Sequence, residues 1–113
     1  MSEFKRKHTF AERKTEADNI RRRYPDRVPL LVSSEDTTLK LTRKKFLIPE
    51  ALTYGQCVFV VKKHCDIAPT EAVMMMVLDT LPQATRTMGD IYERYKDSDG
   101  FLTGLLIKEK TFG

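Results

Sequence analysis

The sequence predicts an α+β domain, a four-stranded mixed sheet with helices packed on it, preceded by an N-terminal helical extension. Three observations carry this. Helix-opening capping boxes stand at Thr9 to Glu12 and Thr53 to Gln56. Apolar, strand-like runs lie between and beyond them, at Val28 to Val32, Phe46 to Ile48, Val73 to Leu78 and Phe101 to Ile107. A chain of 113 residues with 41% apolar and 32% charged residues is also the size and composition of one folded domain, too small for two full cores.

In the first box the Thr9 hydroxyl and Glu12 carboxylate satisfy exposed N–H groups, so a helix is expected from about Phe10 to Arg23. Its apolar positions Phe10, Ala17, Ile20 and Tyr24 form a seam that can dock on a core but is too thin to build one. Pro25 ends it, because the residue before a proline disfavours the α region. Val28 to Val32 reads as a strand in which Pro29 marks either a start or a position whose missing N–H has no partner. After a turn, Thr38 to Pro49 reads as one further extended segment. The cluster Arg43-Lys-Lys45 ahead of Phe46-Leu-Ile48 is the usual guard of an edge strand.

The second box predicts a helix through about Cys65. Helical phase places Tyr54, Val58, Val61 and Cys65 on a core face and Cys57, Val60 and His64 on a surplus, partly apolar flank, with Phe59 on the far side. The run Val73 to Leu78 is short enough for a strand buried on both faces. Thr87 caps a short helix with Met88, Ile91, Tyr92 and Tyr95 inward, Ser98 to Gly100 is a turn, and Phe101 to Ile107 is the last strand. Two strands, a long helix, then strands with a short helix between them is the order of a ubiquitin-like β-grasp sheet. Residues 1–25 would be the helical extension, 26–107 the core, and 108–113 a flexible tail.

Charge is unevenly spread: residues 1–30 carry nine Lys/Arg against five Asp/Glu, and residues 66–113 five against eight. The basic front half suits acidic partners without choosing among them. No apolar stretch approaches the roughly 20 residues of a membrane-spanning helix, and the start has no signal-peptide core, so a cytoplasmic protein is expected. Two histidines and two cysteines, Cys57 and Cys65, without metal-ligand spacing indicate neither a zinc site nor a disulfide framework, and no cofactor or metal is expected.

Six collinear segments then resemble the autophagy ubiquitin-like modifiers, the family of microtubule-associated protein light chain 3 and GABARAP. They are Tyr24-Pro-Asp-Arg-Val-Pro29, Lys44-Lys-Phe-Leu-Ile-Pro49, Leu52-Thr-Tyr-Gly-Gln56, Thr87-Met-Gly-Asp-Ile-Tyr92, Asp99-Gly-Phe-Leu102 and Lys110-Thr-Phe-Gly113. The resemblance spans essentially the whole chain. It implies a modifier rather than an enzyme: Gly113 would be activated by an E1-like enzyme, passed through an E2-like conjugating enzyme, and joined to the amine of phosphatidylethanolamine on autophagosomal membranes. A residue without Cβ suits this, since it leaves its carbonyl open to thiolate and amine attack. A cysteine protease would reverse the lipid amide, and whether the chain also needs processing before Gly113 is used stays open.

The resemblance also implies that cargo receptors and adaptors bind through aromatic-x-x-aliphatic peptides added to the edge strand. Carried over by position, the aromatic pocket would use Glu16, Ile20, Pro29, Lys45, Leu47 and Phe101. The aliphatic pocket would use Phe46, Ile48, Pro49, Leu52, Cys57 and Val60. Arg27, Arg43 and Lys44 would meet acidic residues flanking the motif, and tubulin is a further acidic partner the basic segment would suit. Cys57 stands where the family usually has a larger aromatic residue, which should enlarge the aliphatic pocket. Met74 to Met76 replace a Phe-rich run, Thr103 and Leu106 replace tyrosines, and Gly104 adds flexibility, so a softer core is expected.

Two other readings remain beside this one. A peptide-binding adaptor that is never lipidated would keep the groove and dispense with Gly113 chemistry. A basic nucleic-acid module could use Lys5-Arg-Lys7 and Arg21-Arg-Arg23 on phosphates, although it lacks the interleaved exposed aromatics of single-strand binders, and no nucleic acid is expected. An enzyme is disfavoured, because His64 and Cys65, adjacent on a helix, would point about 100° apart.

Overall fold

Strand β1 (Arg27–Ser33) is the spine of the sheet, because five consecutive buried residues, Val28 to Val32, give it an apolar surface on both faces. The computed structural model describes residues 2–68 and 70–109. Its order is α1 (Glu3–Lys7), α2 (Phe10–Arg23), β1, β2 (Lys40–Leu41), β3 (Lys45–Pro49), α3 (Tyr54–Lys62), β4 (Cys65–Asp66), β5 (Val73–Val77), α4 (Met88–Tyr95) and β6 (Leu102–Lys108). The main sheet runs β3-β1-β6-β5, with β1 and β6 parallel and the outer pairs antiparallel. This is the expected mixed four-stranded ubiquitin-like sheet with a helical extension ahead of it.

The even residues of β1 and β6 meet α3 and α4. Val28, Leu30, Val32, Leu102 and Leu106 pack with Tyr54, Cys57 and Val61 of α3 and Met88, Ile91 and Tyr92 of α4. On the opposite face a smaller cluster joins Leu31 and Phe101 to Ala17 of α2, with Ile20 and Phe4 against it. Both expected capping boxes are present, at Thr9/Glu12 and Thr53/Gln56, each holding two otherwise orphaned N–H groups.

Pro29 sits in an inner strand because its missing N–H points toward β6, one residue ahead of where the parallel pairing begins at Leu30 opposite Leu102. No ladder bond is lost.

Several expectations need correction. The segment Thr38 to Pro49 is not one strand. It is β2, a turn over Thr42 to Lys44, and β3, so Arg43 and Lys44 lie in the connection. The second helix stops at Lys62 instead of continuing to Cys65. The Thr42 N–H and hydroxyl both donate to the His64 carbonyl (2.8 and 2.9 Å), drawing Cys65–Asp66 into an antiparallel pair with Lys40–Leu41. Cys57 therefore belongs to the core face of α3 and is fully buried, while Val58 is only partly so.

Val73 to Leu78 is not covered on both faces. β5 is the second edge strand, with Met75 and Val77 inward and Met74 and Met76 half-buried, and Leu78 turns out to solvent at φ 54°. The last strand runs one residue later than expected at both ends, so Lys108 belongs to it. Gly104 also does more than loosen the strand: a Cβ there would stand 2.5 Å from Met75 Sδ, so its bareness makes room for a methionine.

Candidate functional site

The two outer strands differ in how their unpaired backbone groups are covered. In β3 the Lys44 carbonyl accepts from Val32 (2.8 Å) and Glu50 donates to the Asp26 carbonyl (2.9 Å). With the register Leu30 opposite Phe46 and Val28 opposite Ile48, antiparallel alternation turns the backbone groups of Phe46 and Ile48 toward β1 and those of Lys45 and Leu47 outward. The outward carbonyls are held by arginines of the same chain: Arg43 Nε donates to Lys45 O (3.0 Å) and Arg27 Nη1 to Leu47 O (3.2 Å). Both arginines are solvent-exposed.

Along β5 the outward groups are those of Val73, Met75 and Val77, and the last two are bonded within the chain. The Tyr54 hydroxyl from the core helix donates to Met75 O, and Val77 exchanges two bonds with Thr80 (3.0 and 3.1 Å). Most of one edge is therefore fixed by a buried tyrosine and a tight turn, and the outward carbonyls of the other are covered by exposed guanidinium groups. β3 is the edge that a visiting strand can take most readily.

On the α2 side of β3 the structure brings together the residues expected to line an aromatic pocket. The Lys45 ammonium pairs with the Glu16 carboxylate, and Leu47 lies opposite buried Pro29. Phe101, fully buried, packs with Leu31, Ala17 and Ile20 at the base. Sequence reasoning missed one neighbour: Phe4 of α1 meets the Phe101 ring edge-on at 5.3 Å and lies under the Lys45 ammonium, 4.7 Å from the ring centre. The usable signal was Ser2, whose hydroxyl caps this basic five-residue helix.

On the α3 side the residues expected to line an aliphatic pocket are close together but closed. Phe46 and Ile48 are each 3% exposed and Cys57 0%, while Leu52 and Val60 are half-buried against the same core. Burial alone pushes the Cys57 thiol up to about 12. Only Pro49, Leu52 and Val60 offer surface for a ligand. The smaller Cys57 is therefore accommodated by core packing and leaves no enlarged open pocket. Arg43 lies over the Phe46 ring at 5.3 Å, and the His64 ring meets its edge at 5.5 Å.

Lys44, the third acidic-flank residue, pairs with Glu3 (2.9 Å). Glu3 also pairs with Lys7 (2.8 Å), and hydrogen bonds from these two lysines, Lys7 first, lower its carboxyl to about 2. Behind α1 an ion cluster ties the extension to the body of the domain. Lys5 pairs with Asp97 and with Asp99 (3.2 Å), Arg13 pairs with Asp99 (3.1 Å), and Asp99 is 1% exposed. Of the cations a nucleic-acid surface would need, Lys5 and Lys7 are thus paired internally, and Arg21 donates to Arg27 O (2.6 Å).

Cys65 Sγ donates to the Val61 carbonyl (3.6 Å), and among the described residues no three His, Cys, Asp or Glu side chains are placed to hold a metal. Nor is any helix among the described residues long and apolar enough to cross a membrane. Gly113 and the residues before it from Lys110 lie outside the described residues.

A model of the family described as "Autophagy protein Atg8 ubiquitin like" matches residues 12–113. This chain belongs to the Atg8 family. It is 43% identical to autophagy-related protein 8 of Mycosarcoma maydis over 99% of this chain and 97% of that protein. It is 41% identical to autophagy-related protein 8d of Arabidopsis thaliana over 100% and 96%. The crystal structure of Trypanosoma brucei ATG8 superposes with a TM-score of 0.89 at 38% identity, covering 100% of this chain and 99% of that one. Plasmodium falciparum Atg8, solved in complex with a Plasmodium falciparum Atg3 peptide, gives 0.85 at 27%, covering 99% and 100%. The chain is thus an autophagy ubiquitin-like modifier by family, and the family relationship ties it to autophagosomes.

Proposed function

We propose that this modifier is conjugated through Gly113 to phosphatidylethanolamine on autophagosomal membranes and, once there, recruits cargo receptors and adaptors by binding their aromatic-x-x-aliphatic peptides along β3. The observation that carries the peptide-binding half is the contrast between the two sheet edges: β3 keeps its outward carbonyls under exposed Arg27 and Arg43, beside a pocket based on Phe101. A peptide strand pairing there supplies its own N–H groups to those carbonyls. The displaced guanidiniums are then free for carboxylates flanking the motif.

The conjugation half is supported by family membership and by the matching Lys110-Thr-Phe-Gly113 tail. E1-like activating and E2-like conjugating enzymes would load the glycine, and a cysteine protease would release it. The Plasmodium relative bound to an Atg3 peptide supports a conjugating-enzyme partner for this chain.

Reconstitution with activating and conjugating enzymes, ATP and phosphatidylethanolamine vesicles tests the first half: intact mass should rise by one lipid, and Gly113→Ala should abolish the adduct while leaving peptide binding intact. No adduct with complete machinery would leave the non-lipidated adaptor as the surviving reading. For the second half, Leu47→Ala should weaken an aromatic-x-x-aliphatic peptide about tenfold or more without unfolding the domain, and unaltered affinity would refute the placement of the groove.

A further inference from the structure

The N-terminal helix presents, in adjacent positions, an acid and an aromatic ring to the residues proposed above to read an acid and an aromatic ring. Glu3 holds Lys44 at 2.9 Å, and Phe4 lies edge-on against Phe101 at 5.3 Å beneath the ammonium of Lys45. We propose that Glu3 and Phe4 are a built-in competitor, an intramolecular stand-in for the acidic residue and aromatic anchor of a peptide ligand, which α1 must withdraw before the groove is fully available. The proposal rests on the peptide-reading function of β3 and adds its regulation.

The attachment of α1 is suited to withdrawal. The helix has only five residues, too few to persist by itself, and none of them is fully buried. A cavity of about 680 Å³ opens between α1 and the sheet, bounded by Glu3, Phe4, His8, Leu31, Lys44 and Lys45, so the helix touches the body through a few contacts at its rim. Those contacts are polar or edge-on: the Glu3 ion pairs, the Phe4 ring, and the pairing of Lys5 with Asp97 and Asp99. Exchange of the internal acid and ring for those of a peptide conserves the kinds of contact at Lys44, Lys45 and Phe101, which leaves the Lys5 pairs with Asp97 and Asp99 as the main cost of opening.

Competition of this kind also sets specificity. A peptide with only an aliphatic anchor offers nothing to replace Glu3 and Phe4. One carrying Asp or Glu directly before its aromatic residue replaces both. A ligand reading only the open fraction of a two-state protein binds more weakly by that fraction, so weakening the closed state raises affinity by the same factor.

The test uses the full chain, a synthetic fluorescent peptide containing Glu-Trp-Ala-Ala-Leu, and the variants Phe4→Ala and Glu3→Gln. Both variants are expected to bind about three- to tenfold more tightly than the parent. In the parent, the proton NMR cross-peaks between the Phe4 and Phe101 rings should vanish as peptide saturates it. Should Phe4→Ala fail to fold, Glu3→Gln and the cross-peaks decide alone. Tight parent binding with unchanged or weaker affinity in the variants and retained cross-peaks would overturn the competitor and leave the groove standing. Absence of binding in all three proteins would overturn the groove reading itself, and the competitor with it.

Discussion

Arg27 donates a hydrogen bond from its guanidinium to the backbone carbonyl of Leu47, across the outer side of the strand next to its own. Leu47 lies in β3 and Arg27 opens β1, so the first strand of the sheet reaches over to guard its neighbour's free edge. With Arg43 on Lys45 O, this closes the outward carbonyls at 3.0 to 3.2 Å with groups that are themselves charged and exposed. Such a guard suppresses casual strand pairing yet yields to a partner that brings carboxylates.

The corresponding prediction is a change in salt dependence. Arg43→Ala with Arg27→Ala should weaken a peptide with acidic flanks about tenfold and flatten its response to ionic strength, while a neutral-flanked peptide binds as well as before or better. Titration of both peptides at low and high salt measures this. Equal losses for the two peptides would show that the arginines contribute shape and not charge.

Gly104 and Met75 should be energetically coupled. A methyl group at Gly104 falls 2.5 Å from Met75 Sδ, so Gly104→Ala is expected to destabilise by about 1–3 kcal/mol through overpacking. In a double-mutant cycle with Met75→Ala, urea unfolding should show part of that loss recovered, because the shorter side chain vacates the space. Strict additivity would mean that the strand shifts instead of the side chain.

Thiol trapping should separate the two cysteines. Burial holds the Cys57 thiol near 12 against an ordinary 9.0 and raises Cys65 less, so at neutral pH iodoacetamide should modify Cys65 first and Cys57 only on opening of the core. The sign of the pH effect follows. Between pH 9.0 and about 12 the unfolded thiol has lost a proton that the native one keeps, so stability falls as pH rises through that window, and Cys57→Ala should remove this part of the dependence.

Acid should loosen α1 before it unfolds the domain. Glu3 titrates near 2 when its lysine partners are in place, against 4.5 when free, so its ion pairs are fully present above pH 4.5 and are lost as pH falls toward 2. Ring resonances of Phe4 followed by NMR should shift over that interval in the parent and stay flat in Glu3→Gln.

Much of the fold was legible because local signals agreed. Thr9, Thr53 and Thr87 each announced a helix that begins where expected, and the lysines before Phe46 marked a true edge. The errors arose where tertiary pairing overrode local pattern. His64 and Cys65 continue a helical phase, yet the bonds from Thr42 draw them into a two-stranded pairing. Val73 to Val77 is apolar enough for an inner strand, but β6 took that place, being paired with β1 by the parallel register. Helical phase misplaced Cys57 for a related reason: a helix three residues shorter centres its buried stripe on Tyr54, Cys57 and Val61. The role of Phe4 was missed because a five-residue helix shows too little periodicity to read, and the Ser2 cap was its one local mark.

The parallel placement of β6 beside β1 has a mechanical consequence. Any pull transmitted through the residues after Lys108 is applied along β6, a strand flanked by ladders on both sides. Tension in that direction loads many hydrogen bonds at once in shear rather than unzipping them singly, so a pull on that end is resisted by both flanking ladders together. Force spectroscopy with handles on the tail and on β3 should register high rupture forces, with much lower ones when handles on β5 peel that edge strand sideways from β6.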